Sequence, residues 1–193
     1  MRESQRLNDA LQLKIAEAEA LQEQLRDQAV RDPLTGLYNR RFLDETSLAR
    51  IALARRQGTA VAIVLIDIDH FKQINDLYGH GRGDEVLQAF ATLLRDRMRR
   101  SDIVCRFGGE EFVLLLDNPE PAALLDLLGK TMRQFRAMRL GVGEDLTDDC
   151  TFSAGIAWLG ADGTDFESLV RVADLRMYRA KAAGRARICD ADA

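Results

Sequence analysis

Over the first thirty residues, apolar side chains recur at three- and four-residue steps: Leu7, Leu11, Ile15, Ala18, Leu21 or Gln22, Leu25 and Ala29. Gln, Glu, Lys and Arg fill the intervals, and neither Gly nor Pro interrupts them. That period predicts one long helix with a narrow apolar stripe. Such a stripe supports an isolated helix poorly, so it needs a cover: a second copy of itself, or its own domain. Pairing is somewhat the better expectation for so narrow a stripe. Asp32-Pro33 closes the segment, because proline disfavours helical backbone at the residue before it. The chain is therefore expected to divide into a helical stalk, residues 1–30, and a domain, residues 31–193.

Within that domain the pattern changes repeatedly. A helix follows Asn39 and closes near Gln57-Gly58. Ala60 to Ile66 is an unbroken apolar run, the mark of a central strand covered on both faces. A short helix around His70 to Leu77 leads into the turn-rich Gly79 to Gly83, and Asp84 is a candidate cap for a longer helix reaching about Arg99. Ile103 to Phe107 and Glu111 to Leu116 read as two strands joined by a tight turn at Gly108-Gly109. Pro121 to about Arg139 is a helix with Leu124, Leu127, Leu128, Met132 and Phe135 on its apolar face. Thr151 to Leu159 is a further strand, and Phe166 to Ala183 a last helix stopped by Gly184. Alternating strands and helices with one internal hairpin imply an α/β sandwich around a mixed sheet.

Composition narrows the function classes. Of 193 residues, 47% are hydrophobic and 30% charged, an ordinary mixture for a water-soluble domain. A net charge of −4, from 27 basic and 31 acidic residues, argues against a broad nucleic-acid-binding surface. Small anions remain possible ligands, since a few cations and backbone N–H groups hold phosphate. No apolar run reaches membrane-spanning length, and the polar N-terminus lacks a signal-peptide core, so a cytoplasmic location is expected. Cys105, Cys150 and Cys189 are widely spaced and odd in number, which suits reduced thiols better than disulfides or zinc.

Two acidic clusters interrupt this apolar framework. Asp67-Ile68-Asp69 follows the buried strand, and Glu110-Glu111 sits at the hairpin turn. Carboxylates at the edge of a core are costly to desolvate unless something neutralises them. Hard divalent cations do so, and magnesium commonly takes one or two carboxylates plus substrate phosphates. Each acid alone reads more simply as a solvated loop residue; two clusters beside glycine turns favour metal.

Arg106-Phe107-Gly108-Gly109-Glu110-Glu111-Phe112 resembles the signature of the GGDEF family of diguanylate cyclases, in its Gly-Gly-Glu-Glu-Phe form. Asp32-Pro33-Leu34-Thr35-Gly36-Leu37-Tyr38-Asn39-Arg40-Arg41 is similar to the family's opening motif, and Asp67-Ile68-Asp69-His70-Phe71-Lys72, with Asn75-Asp76 and Gly79-His80, to its central one. Thr151, Ser153 and Gly155 fit the late-strand motif; Ala173-Asp174, Tyr178, Ala180-Lys181 and Gly184-Arg185 fit the closing one. Five motifs in order, over roughly residues 32 to 189, are far more specific than the pentapeptide alone.

The resemblance implies a three-layer, nucleotidyl-cyclase-like fold and a catalytic domain over residues 31–193. It implies condensation of two GTP into cyclic di-GMP and two pyrophosphate, across a homodimer joined through the N-terminal helix. Asp67, Glu110 and the Ile68 carbonyl are then the expected ligands of Mg2+ or Mn2+, two ions per active site. Glu111 would add a metal contact or help remove a proton, with Glu110, Glu111 and Lys72 forming the catalytic group. Asn75 and Asp84 would read guanine: a carboxylate can accept from N1–H and N2–H2, which adenine does not offer. Phe71, Lys72, His80, Gly109, Lys181 and Arg185 complete the expected substrate site, the last two at the β- and γ-phosphates. Arg99 and Asp102 match the family's Arg-x-x-Asp product site, which implies feedback inhibition by cyclic di-GMP. An upstream sensory domain is a common family partner. Two positions depart from the pattern: Ala186 stands where Asn is usual, implying a lost local hydrogen bond, and Arg176 replaces a small residue and is expected to face solvent. The competing reading is a catalytically inactive domain that binds GTP or cyclic di-GMP as a sensor.

Overall fold

An eight-residue strand with no polar residue before its seventh position must be covered on both sides, and β2 (Val61–Ile68) is buried throughout. In a computed structural model, residues 2–138 and 150–191 are described, except for the side chains of residues 2–10 and 23–26. Helix α1 (Arg2–Val30) leads into β1 (Tyr38–Asn39), α2 (Arg40–Gln57), β2, α3 (Phe71–Tyr78) and α4 (His80–Arg97). The hairpin β3 (Ile103–Gly108) and β4 (Glu111–Asp117) follows, then α5 (Pro121–Ala137), β5 (Phe152–Trp158), α6 (Phe166–Ala182) and β6 (Ile188–Cys189).

The six strands form one mixed sheet in the order β1-β3-β4-β2-β5-β6. The outer pairs β1–β3 and β5–β6 are parallel, and the inner pairs antiparallel. Alternation along β2 feeds two cores. Ala62, Val64, Ile66 and Ile68 meet Val86, Phe90 and Leu94 of α4 and Leu128 and Phe135 of α5. Val61, Ile63 and Leu65 meet Leu43 and Ile51 of α2 and Leu169, Ala173 and Met177 of α6. Phe90 centres the first core, with the rings of Phe112, Phe135 and Phe152 at centroid distances of 5.0, 4.5 and 5.3 Å. Truncating one such side chain to Ala costs about 3–5 kcal/mol. Three layers result, with α3–α5 and α2/α6 on opposite faces.

Local chemistry sets the element ends. The Asn39 side chain accepts from Phe42 N–H at 3.0 Å to cap α2, while its amide donates to Ala29 O at 2.9 Å. The same residue therefore starts one helix and ties down the end of another. Pro121 opens α5 behind the Glu120 side chain, which accepts from Ala122 and Ala123 N–H. An Asp165–Ser168 capping box opens α6. Gly155 permits α6 to lie directly on β5: a Cβ there would stand 2.0 Å from Ala173 O and 2.5 Å from Met177 N.

Several expectations shift. β2 runs on to Ile68, so Asp67 lies inside the strand rather than after it. The α4 helix begins at His80, because Gly79 at φ 82° breaks α3 and restarts the helix at once. Asp84 is consequently the fifth helical residue and not the cap. Arg176 does not face solvent: it is only 4% exposed and donates to Ile156 O and to both carboxylate oxygens of Asp162. On α1, Leu11, Ile15 and Leu21 are 43–57% exposed, so their stripe is not folded onto the sheet domain. The expected stripe positions Leu7 and Leu25, as side chains, and the helix end at Arg139 lie outside the described residues.

Candidate active site

The β2–β4 pairing brings the two acidic clusters together. Asp67 sits opposite Glu111 in the ladder, and Ile68 N–H donates to Glu110 O at 3.3 Å. Sequence separates these residues by more than forty positions; antiparallel register makes them neighbours. Gly109, at φ 45°, and Glu110 form the short link between β3 and β4. Lys181, near the end of α6, closes the group with its Nζ 2.7 Å from Asp67 Oδ2.

Burial first, and surplus negative charge second, act on this cluster. Burial pushes the Asp67 carboxyl above its ordinary range; Lys181 opposes the shift, while Glu110 and Asp69 add to it. Glu111 is raised too, by burial first and then by Asp67. Among the described residues no three metal-binding side chains converge as a complete cage. Asp67 and Glu110 nonetheless fit a hard divalent ion that takes two carboxylates and fills its remaining positions from a nucleotide and water. The Ile68 carbonyl is adjacent in sequence to Asp67.

The other expected residues fall into three groups. Phe71 (7% exposed) and Asn75 lie on α3, and the buried Gly83 of α4 packs directly against both. Asp84 follows Gly83 on the exposed side of α4. Lys72 on α3, His80 at the start of α4 and Arg185 just beyond α6 are exposed. Arg99 and Asp102 stand apart from the acids, in the turn after α4 rather than on the helix itself. There the Asp102 carboxylate accepts from Arg99 N–H at 2.9 Å, beside a shallow pocket lined by Met98, Leu116, Pro119 and Leu124. Burial raises the Asp102 carboxyl.

Two anchoring devices escaped the sequence reading. Arg106 donates to Gly109 O at 3.0 and 2.9 Å and to Asp32 at 3.1 and 3.2 Å. It thereby fastens the acidic turn to the segment that follows α1. Burial alone would raise the Asp32 carboxyl, but hydrogen bonds from Thr35 and Arg106 outweigh it and hold it below its ordinary value. The second device is Asp69, 3% exposed, which accepts from Thr151 Oγ1 and Ser153 Oγ at 2.7 Å and from Ala186 N–H at 3.0 Å. Those bonds hold Arg185 and Ala186, both with left-handed φ (60° and 47°), at the end of the cluster. Both Asp32 and Asp69 lie inside the family-like motifs, and an acid at a motif position with no assigned role is the available signal.

Fold and cluster together define an α/β domain that gathers carboxylates and a lysine at one end of a mixed sheet. The chain belongs to the GGDEF family: the family described as "Diguanylate cyclase, GGDEF domain" matches residues 29–187. It is 41% identical over 180 residues to the diguanylate cyclase DgcP of Pseudomonas aeruginosa, covering 89% of this chain and 26% of DgcP. It is 38% identical over 159 residues to the response regulator PleD of Caulobacter vibrioides, covering 81% of this chain and 35% of PleD. The chain thus spans well under half of these relatives. Its fold resembles the coiled coil and GGDEF domain of DgcB from Caulobacter crescentus, solved in complex with c-di-GMP. That likeness has a TM-score of 0.85 at 29% identity, covering 96% of this chain and 99% of that one.

Proposed function

We propose that this chain is a diguanylate cyclase that condenses two GTP into cyclic di-GMP, releasing two pyrophosphate. The observation that carries the reading is the junction of Asp67, Glu110, Glu111 and Lys181, in a chain of the GGDEF family. Asp67, Glu110 and the Ile68 carbonyl would hold Mg2+ or Mn2+, with a second ion when substrate is bound. Metal would neutralise charge building on the α-phosphate and the departing pyrophosphate.

The chain's own residues do the rest. Asn75 and Asp84 take the guanine edge, with Phe71 buried behind them. Lys181 and Arg185 take the β- and γ-phosphates, and Lys72 and His80 lie along the nucleotide, with Gly109 giving the phosphates close access to backbone. The 3′-hydroxyl oxygen of one GTP attacks the α-phosphorus of the other, the bond to pyrophosphate breaks, and the hydroxyl proton is lost, with Glu111 assisting. Each domain holds one nucleotide, so two must face each other. Residues 1–30 form the stalk that brings them together and residues 31–193 the catalytic domain. The exposed Leu11, Ile15 and Leu21 support pairing of two stalks as a coiled coil. Arg99 and Asp102 are assigned to inhibitory cyclic di-GMP, for which guanidinium can fork onto phosphate or guanine and carboxylate accept from guanine N–H. The domain acts in the cytoplasm, under a sensory partner. No described helix is long and apolar enough to cross a membrane.

The test is incubation of the purified chain with GTP and magnesium, with products resolved by mass and Glu110→Ala run alongside. Cyclic di-GMP and pyrophosphate from the parent alone are expected. GTP returned unchanged at concentrations where the chain dimerises would overturn the enzyme reading in favour of a binding domain.

A further inference from the structure

Gly83 lies inside α4, where glycine is disfavoured relative to alanine, and its backbone is not in the left-handed region. Turn geometry therefore does not account for it. Its surroundings do: a Cβ at position 83 would fall 2.0 Å from Asn75 Oδ1, 3.0 Å from Asn75 Cγ and 3.1 Å from Phe71 Cζ. The break at Gly79 sets up this approach. Gly79 N–H donates to Asn75 O at 2.9 Å, and Gly79 O accepts from Gly83 N–H at 3.4 Å, which folds the start of α4 back over α3. Asn75 Oδ1 is buried there and has no hydrogen-bond donor among the described residues. A buried acceptor left unpaired is unfavourable, so the place of this amide is set by something other than its oxygen's own hydrogen bonding.

We infer that Gly83 is a positioning residue for base selection: its missing side chain is the space that the Asn75 amide oxygen fills, which sets the amide with its amino group left to a guanine acceptor. The inference rests on the reading of Asn75 as a guanine contact. A methyl group at 83 would meet the tip of a side chain that can swing aside, so the chain would still fold and the amide would leave its place. Alanine would at the same time suit the helix better than glycine. Recognition and stability are therefore expected to move in different directions, which a purely structural glycine would not produce.

The experiment uses the full chain, magnesium and α,β-methylene-GTP, an analogue that cannot release pyrophosphate, with calorimetric titration and thermal melting. Gly83→Ala is expected to bind the analogue on the order of tenfold more weakly, the value of one lost buried hydrogen bond, with a melting temperature equal to or above the parent's. Its preference over the matching ATP analogue should shrink by a similar factor. Adding Gly83→Ala to Asn75→Ala should weaken binding no further, since the amide is already gone. Should Gly83→Ala melt below the parent, the double variant, relieved of the collision, should regain the difference. Parent-like binding by Gly83→Ala, losses that multiply in the double variant, or a lowered melting temperature that the double variant does not recover would overturn the inference. Parent-like binding by Asn75→Ala would instead remove the guanine reading beneath it.

Discussion

Helix α6 carries two cations that pair with aspartates, five residues apart, and the two pairs behave in opposite ways. Arg176 and Asp162 are 5% and 13% exposed as side chains, joined by two 2.7 Å contacts. Arg176 also reaches Ile156 O, and Asp162 also accepts from Trp158 N–H. Burial pushes Asp162 up, yet its hydrogen bonds from Arg176 and Trp158 outweigh that and hold the carboxyl below its ordinary value. Lys181 and Asp67 share a single 2.7 Å contact, with Lys181 30% exposed. There burial, backed by neighbouring acids, prevails and Asp67 is raised. A saturated pair locks helix to sheet; an unsaturated pair amid surplus negative charge leaves room for a stronger cation. Partner identity is the same kind in both, so the surrounding hydrogen bonds decide the role.

Breaking each pair separates these roles. Arg176→Met strands the Asp162 carboxylate and an Ile156 carbonyl, and unfolding free energy should fall by about 3 kcal/mol in a urea titration. Nucleotide binding by the folded protein should be unaltered. Lys181→Met should weaken α,β-methylene-GTP about tenfold by calorimetry and lower the urea midpoint less than Arg176→Met does, because Lys181 is partly exposed and makes one contact with Asp67 where Arg176 makes three.

Acidity sharpens the contrast further. Since the folded Asp162 carboxyl lies below its ordinary value of 3.8, its contribution to stability is present above that value and is lost as pH falls through the folded one. Asp162→Asn should therefore flatten the acid side of the stability profile relative to the parent, measured by melting at stepped pH. The smallest effect belongs to the far end of the helix. Ala186 sits at φ 47°, and Ala186→Gly should raise stability by up to about 1 kcal/mol, read as a shift of the urea midpoint.

The readability of the sequence followed the range of the interactions involved. Helix α2 could be started at Asn39, and β2 placed at the centre of the sheet, because capping and apolar runs are local signals. The hairpin was legible for the same reason, since its turn and strands are contiguous. Asp84 is not the cap because a single glycine, Gly79, restarts the helix five residues before the start an Asp84 cap implies. The inward course of Arg176 is hidden in the sequence because its partner lies fourteen residues back in a loop. Its position on the stripe Leu169, Ala173, Met177 and Ala180 was the overlooked hint. The carboxylates of the candidate site were found individually, but their meeting depends on strand register, which periodicity does not fix. The Asp32–Arg106 clamp spans 74 residues and left no local trace.

Asp69 also governs when the site can come into being. Its three partners lie 82, 84 and 117 residues later in the chain, just before β5, on β5 and beyond α6. A ribosome delivers residues in order, so the strand bearing Asp67, Asp69 just after it and the acidic hairpin emerge well before Ala186. Until that last stretch is released and docked, Asp69 lacks its backbone donor and the segment bearing Arg185 has no anchor. Long-range contacts of this kind form late in folding. A partly synthesised chain can thus carry the whole acidic signature and still lack the anchored segment that bears Arg185.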